Sequence, residues 1–325
     1  MSADQPMVSV AIPAYNIRFF EAALSSALAQ DCDDLEVLVC DDSEGSAIEA
    51  VCRRLACDRL RYLRNPRHLG FTANFTHCFE QARGRYLKFL NDDDVLAPGC
   101  VRTMAEAFEH RGPEVKLVTS KRQLIDEHGH FLPDILATAP LSAVSVQMRG
   151  IALGDLVLRN AANVIGEPST VMFRRADVSS EDGELFRFFG RDYIVLADLC
   201  LWLRLLSKGD AVYLVEPLSQ TRAHLGQESE KRCHLLRQLT EWVHLFESAA
   251  KIGFLSGGAE LPGLVRWRAN AIRSLLDDPQ LAVRIGCDPG DIEAARPQLE
   301  GQLHEWEQRY GKERRSVSLV QRILA

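Results

Sequence analysis

The sequence predicts an α/β fold with a mainly parallel sheet, and three observations carry that prediction. Short apolar runs of strand length recur, longer stretches between them place apolar residues every three or four positions, and the two kinds alternate from residue 8 to 119. Such alternation implies a sheet covered on both faces, with ligands gathered at the carboxyl ends of its strands. In order, strands are expected at 8–12, 35–40, 60–63, 86–90 and 115–119, with helices at 19–30, 46–56, 71–83 and 98–111 between them.

From 126 to 145 the pattern loosens. His128-Gly129-His130 reads as a turn and Pro133 and Pro140 as breakers, so a loop-rich connection is expected. A helix near 151–159, a strand at 170–174, a helix at 197–207 and strands at 211–215 and 218–224 follow. Beyond Glu228 the chain reads as successive helices broken at 253–258, Pro262, Pro279, Pro289 and Pro297, which puts a boundary near 228.

At 325 residues, one large domain with an appendage fits better than a single core. Against 45 Asp and Glu stand 38 Lys and Arg, a net charge of -7, which argues against the broad positive field of a nucleic-acid groove. Nine cysteines, none spaced C-x-x-C and most inside apolar runs, read as reduced, buried thiols. The start lacks a charged segment followed by a long apolar one, and no window reaches the roughly 18 apolar residues of a membrane span, so a cytoplasmic protein is expected. The tail places Leu319, Val320, Ile323 and Leu324 on one helical stripe beside Lys312, Arg314, Arg315 and Arg322. Packing on its own domain and docking on an anionic bilayer both fit that stripe.

Chemistry concentrates where strands end. Tyr86-Leu87-Lys88-Phe89-Leu90-Asn91-Asp92-Asp93-Asp94 runs a buried strand straight into three adjacent carboxylates. At the carboxyl end of a parallel strand, like charges side by side favour a hard divalent cation, Mn²⁺ or Mg²⁺, whose binding offsets their repulsion. Such an ion bridges nucleotide phosphates and stabilises the charge on a departing diphosphate. Acidic residues favouring a helix N-terminus ahead of Pro98 are the plainer account of the same segment. Asp41-Asp42 ends the second strand and Pro13-Ala14-Tyr15-Asn16 the first. Tyr15 suits stacking on a flat base and Asp42 suits the imide of a uracil or guanine, although each is also ordinary turn chemistry. Asp198 opens an almost wholly apolar helix, where a carboxylate is either an N-cap or a base for an acceptor hydroxyl.

The stretches VSVAIPAYN, LEVLVCDDS and NPRHLGFTANFTHCFEQARGRYLKFLNDDDVLAPG resemble the nucleotide-sugar-binding half of the family 2 glycosyltransferases, which have the GT-A fold, and the resemblance spans about residues 7–225. It implies a GT-A domain at 1–228, with a nucleotide-sugar half at about 1–120 and an acceptor half at about 121–228, and a helical region at 229–325. Pro13, Tyr15, Asn16 and Asp42 are then expected around the base, Asn91 and Asp92 at the ribose and base side, Asp93 on the metal, and Asp94 shaping the loop. Asn91 stands where the family's D-x-D form often has Asp. Asn74 falls where the family opens a helix over the donor, with capping of its own helix as the alternative, and Arg67 and His68 precede it toward the phosphates. Ala197 to Arg204 resembles the E-D-x-x-L-W-L-R helix whose Asp is the catalytic base, which selects Asp198, while Ala197 replaces the usual acidic residue. The Gly166-Glu167-Pro168-Ser169 segment is placed at the acceptor floor, where Glu167 either binds sugar hydroxyls or closes a turn. Thr221-Arg222-Ala223-His224 resembles the R-x-H segment in which the His completes the metal or diphosphate shell and the Arg approaches the diphosphate.

The resemblance thus implies a metal-dependent, inverting glycosyltransferase that moves a sugar from a UDP-linked donor to a hydroxyl of a glycan, lipid-linked or protein acceptor in polysaccharide biosynthesis. The alternative is a GT-A nucleotide-sugar-binding protein that has lost turnover, which Asn91 and Ala197 permit. A nucleotidyltransferase fits less well, for want of a Gly-rich loop followed by Lys after the first strand. The C-terminal helices are left three roles: acceptor binding, a homodimer contact, or contact with the inner face of a membrane.

Overall fold

Strand β1 (Val8–Ala14) is buried at every position, as a strand covered on both faces must be. It pairs in parallel with β2 (Leu35–Asp41) on one side and β4 (Tyr86–Phe89) on the other, and β2 pairs in parallel with β3 (Leu60–Arg64). The crossovers are helices α1 (Ile17–Leu28), α2 (Ala47–Arg54) and α3 (Phe71–Gln81). The spatial order β3-β2-β1-β4 means that the chain winds outward from β1 to β3 and then returns to the other side of β1. Between β1 and β4 lies the topological switch point, where a crevice opens at the carboxyl ends of open α/β sheets. The computed structural model describes residues 6–178, 185–224, 234–257, 260–284 and 288–311.

Next come β5 (Val95–Leu96), α4 (Cys100–Arg111), β6 (Val115–Ile125), β7 (Phe131–Leu132), β8 (Val146–Met148), α5 (Gly150–Asn160), a 3-10 turn (Pro168–Thr170) and β9 (Met172–Arg174). A small hairpin of β10 (Arg187–Phe188) and β11 (Arg191–Asp192) precedes α6 (Ala197–Leu206) and β12 (Asp210–Arg222). The sheet reads β3-β2-β1-β4-β9-β6-β12-β5, with the long pair β6 and β12 parallel and β9 antiparallel to both β4 and β6.

Alternation along β1 sorts the two faces. Val8, Val10, Ile12 and Ala14 share a core with Phe20, Ala23, Leu24 and Ala27 of α1, Ile48 of α2, and Met104 and Phe108 of α4. The opposite face carries an aromatic chain from Phe75 of α3 through Phe89 of β4 and Phe173 of β9 to Trp202 of α6, with ring centroids 4.9 to 6.1 Å apart. Each fully buried large side chain there contributes about 1.5–3 kcal/mol. Helices on both faces therefore fix β1 and β4 rigidly up to the residues where they part.

Several expectations are corrected. The strands expected at 211–215 and 218–224 are one strand, β12, which shifts register against β6 on either side of Pro217; a proline cannot donate to the ladder, so the strand bends there instead of ending. The strand expected at 170–174 is β9, whereas short strands β5, β7, β8, β10 and β11 went unforeseen, because two or three residues carry no readable period. Six of the seven described cysteines are buried and all seven are free, but Cys57 is exposed, since it lies in the turn after α2 rather than in an apolar run.

Contact clustering divides the chain into units Met1–His224 and Leu225–Ala325. The second holds α7 (His234–Lys251), α8 (Glu260–Asp277), α9 (Pro279–Arg284) and α10 (Pro289–Tyr310). Pro279 and Pro289 stand at first helical positions, where a missing N–H costs nothing. Pro262 and Pro297 do not break helices as expected: Pro262 lies in the first turn of α8 and Pro297 inside α10. An interior proline costs about 3 kcal/mol, which burial of Ile292, Leu299, Leu303 and Trp306 along α10 offsets. Among the described residues no helix is long and apolar enough to cross a membrane. The boundary at 228 and the apolar stripe of the tail lie outside the described residues.

Gly84 joins α3 to β4, and a Cβ there would stand 2.4 Å from Ser9 N and 2.7 Å from Tyr86 O. Backbone cannot yield as a side chain does, so Gly84→Ala is expected to destabilise the first unit by about 3 kcal/mol. Urea unfolding checks this, and an unchanged midpoint would mean that β1 and β4 have slack at their entry.

Candidate active site

A proline ends the pairing of β1 with β4. Leu90 N–H donates to Ala11 O at 2.9 Å, so the β4-facing groups of β1 are those of Ala11 and, two residues on, Pro13. Pro13 has no N–H to give, and the β1–β4 ladder stops at Ala11 and Phe89 while β1 stays paired with β2 as far as Ala14 and Asp41. Pro13 therefore sits buried within β1 rather than in the loop expected for it. Across the gap, Asp92 Oδ2 accepts from Tyr15 N and Asn16 N, both at 2.7 Å. Burial pushes Asp92 up to about 6 against the pull of those two N–H groups. The Asn16 side chain caps α1, accepting from Arg18 N at 2.9 Å.

Tyr15 is 57% exposed, and its ring lies 5.2 Å from that of His68. Beneath them Asp42, 4% exposed, accepts from Asn65 Nδ2 (2.8 Å) and Leu69 N (2.7 Å) at Oδ1, and from Gly70 N (2.9 Å) at Oδ2. His68 Nδ1 stands 2.9 Å from the same Oδ2. A carboxylate has about four acceptor sites, so all of Asp42's are engaged. Asn74 is buried as well; Gly70, not Asn74, is the N-cap of α3. Its amide ties two loops together, donating to Cys40 O at 3.1 Å and accepting from Asn65 Nδ2 at 2.9 Å. Arg67 is exposed.

The carboxylates of residues 92–94 go to three different places. Asp94 turns inward, 1% exposed: Oδ2 accepts from Ser169 Oγ (2.6 Å) and Asn91 Nδ2 (3.0 Å), and Oδ1 from Arg222 N (3.0 Å). Burial and the neighbouring Asp93 charge hold it well above the usual carboxylate range. Asn91 N donates to Ser169 Oγ at 2.9 Å. Asp93 faces His224, with Oδ2 and Nε2 3.1 Å apart, and His224 packs on Phe19 at 4.8 Å. An oxygen and an imidazole nitrogen converging this closely suit two positions of a Mn²⁺ or Mg²⁺ shell. Among the described residues no group of three or more His, Cys, Asp or Glu is gathered around a metal position. Arg222, read as a diphosphate contact, is engaged elsewhere: its guanidinium donates to Asp93 O (2.9 Å) and Asp126 O (3.0 Å) and lies 4.5 Å over the Phe19 ring.

Segment 163–170 brings the other expected residues to the same crevice. Ser169 holds Asp94, and two positions earlier Glu167 pairs with Arg122 Nε at 2.7 Å and accepts from Thr221 Oγ1 at 3.4 Å. Asn163 Nδ2 donates to Asp198 Oδ2 at 2.6 Å, and Leu199 N to Asp198 Oδ1 at 2.7 Å. The N-cap of α6 is Leu196 and Asp198 sits one residue inside the helix, so the carboxylate is not spent on capping. Burial pushes Asp198 up to about 7. Consecutive residues of β12 thus reach both halves of the site, Thr221 touching Glu167 and Arg222 touching Asp94. Sequence reasoning missed Ser169, Arg122, Asn163 and Lys88. Lys88 is fully buried in β4 and donates to Ser169 O at 2.7 Å; a lysine inside an apolar strand was the one visible signal.

The model of the family described as Glycosyl transferase family 2 matches residues 9–136, which hold β1 to β4 and the acidic loop. An uncharacterized protein of Mycobacterium tuberculosis is 30% identical over 237 residues, 70% of each chain. A Campylobacter jejuni GalNAc(5)-diNAcBac-PP-undecaprenol beta-1,3-glucosyltransferase is 33% identical over 105 residues, 31% of this chain and 34% of that one. In fold the chain is similar to S. aureus TarS 1-349 in complex with UDP-GlcNAc, with a TM-score of 0.63 at 14% identity over 93% of this chain and 81% of that one. Sequence and fold agree: the chain belongs to glycosyl transferase family 2 and is a glycosyltransferase.

Proposed function

We propose that this glycosyltransferase moves a sugar from a uridine diphosphate donor to an acceptor hydroxyl with inversion, Asp198 acting as general base. The observation that carries the reading is the convergence of Asp94, Glu167 and Asp198 on segment 163–170, which sets a donor-side loop and a carboxylate of near-neutral pKa around one crevice. The nucleotide base stacks on exposed Tyr15, and its imide reaches Asp42 Oδ2 by taking the place of His68 Nδ1. Asp93 and His224 would hold Mn²⁺ or Mg²⁺, which when bound supplies positive charge for a leaving diphosphate. Glu167, fixed by Arg122, hydrogen-bonds acceptor hydroxyls beside Asp198. Asp198 takes the proton of the attacking hydroxyl, and a single displacement at the anomeric carbon inverts its configuration.

A uridine diphosphate donor draws support from the fold likeness to TarS, crystallised with UDP-GlcNAc and with UDP. The Campylobacter relative's name, a glucosyltransferase acting on an undecaprenol-linked glycan, supports a glycan or lipid-linked acceptor and a place in surface polysaccharide assembly, in the cytoplasm or at the inner face of the membrane.

Asp198→Asn should retain UDP binding in Mn²⁺, measured calorimetrically, and lower turnover of UDP-GlcNAc or UDP-glucose by about 10²-fold or more; near-normal turnover rejects the base. Because Asp198's folded pKa is raised to about 7, the ionised base is lost as pH falls through that value. UDP release should therefore rise about tenfold per unit up to pH 7 and level off above it, and a flat profile between pH 5.5 and 7.5 contradicts the assignment. Asp93 and Asp94 should separate cleanly. Asp93→Ala is expected to abolish Mn²⁺-dependent UDP binding with little loss of stability. Asp94→Ala strands three buried donors and should lower stability by about 3 kcal/mol, read by thermal unfolding.

A further inference from the structure

Asp198 is gripped at both oxygens, but the two grips differ in kind. Leu199 N belongs to the same helix and follows Asp198 wherever α6 goes. The Asn163 amide comes from 35 residues away, from the turn that follows α5, and is the shorter contact at 2.6 Å. That amide is itself held by Gly166, Oδ1 accepting from Gly166 N at 2.9 Å and Nδ2 also donating to Gly166 O at 3.1 Å, while the backbone carbonyl of Asn163 accepts from Arg122 Nη2 at 3.0 Å. Arg122 is buried, with its side chain 3% exposed, and the same guanidinium holds Glu167. One cation therefore fastens both arms of the 163–167 turn.

Resting on the reading of Asp198 as the base, we propose that Asn163 is its positioning residue: locked in place by Arg122 and Gly166, its amide aims the Asp198 carboxylate at the crevice that Glu167 lines. The hydrogen bonds of Asn163 go to Gly166, Arg122 and Asp198, so its effect is expected on the base and not on the donor. A side-chain donor aimed at a carboxylate oxygen also favours the ionised form. The charges acting on Asp198 are Glu167, which opposes ionisation, and Arg122, which favours it; Asn163 carries none, so its removal changes a hydrogen bond and not a charge.

The test is a ¹³C carboxyl NMR titration of the full chain, the Asp198 signal identified by its absence in Asp198→Asn. In Asn163→Ala the Asp198 midpoint should rise by about one pH unit, a tenfold loss of ionised fraction below it, while the affinity for UDP with Mn²⁺ stays within about twofold. UDP release from UDP-GlcNAc or UDP-glucose should fall through kcat, with its acid limb displaced by the same amount. Asn163→Asp keeps the Oδ1 bond to Gly166, and so the turn, and should raise the midpoint further. Trp202→Phe, which removes the Trp202 Nε1 bond to Gly166 O (3.0 Å) and part of the packing on Phe173 but leaves the Asn163 amide in place, should leave it unmoved. An unmoved midpoint in Asn163→Ala overturns the proposal, as does an equal rise in Trp202→Phe, which would assign the effect to the turn's integrity. Should Asp198→Asn keep normal turnover, the base assignment falls instead, and the midpoints still report whether Asn163 holds the carboxylate.

Discussion

Burying the Asp94 carboxylate is the constraint from which the rest of the site follows. An ionisable group with its side chain out of water costs several kcal/mol unless its oxygens are satisfied. The oxygens of Asp94 are satisfied by Asn91, Ser169 and Arg222, three residues from three segments of the chain. Meeting that demand docks the end of β12 and the turn before β9 against the loop after β4. Asp93 then has only one way to face, toward His224, and Glu167 is brought within two residues of the acidic loop's anchor. Lys88 strengthens the junction from below through Ser169 O.

Burial also separates carboxylates of identical chemistry into different tasks. Asp92 is raised to about 6 and spends its oxygens on two backbone N–H groups across the switch point. Asp198 is raised to about 7, a value suited to accepting a proton near neutrality. Asp42 accepts from the backbone of Leu69 and Gly70 and ties the loop after β2 to the start of α3. The site is therefore less a cluster of free acids than a set of carboxylates already committed to backbone and side-chain donors.

The legibility of these features tracks their range along the chain. The five long strands and four helices of the first half were readable because each repeats a two- or 3.6-residue period over several turns. The strand β9 was readable as a strand, but its place between β4 and β6 was not, since that depends on partners some 50 to 90 residues away. Asp93, Asp198, Glu167 and His224 stood out because they follow or open elements at a sheet edge. Asn163, in an Ala-Ala-Asn-Val turn, and Ser169 carry no local pattern that singles them out, because their partners Asp198 and Asp94 are 35 and 75 residues away.

Local sequence by itself determined where the crevice would form: the run of β1, a proline two residues beyond the last β4-facing pair, and an acidic loop at the end of the next strand to join it. Periodicity and the missing N–H of Pro13 act within a few residues, so they can be read in one dimension. Tertiary structure alone decided which carboxylate does what. Arg222 N reaches Asp94 across 128 residues and Asn163 reaches Asp198 across 35, and whether an acid is buried, bonded or open to a ligand is a property of those distant partners rather than of its neighbours in the chain.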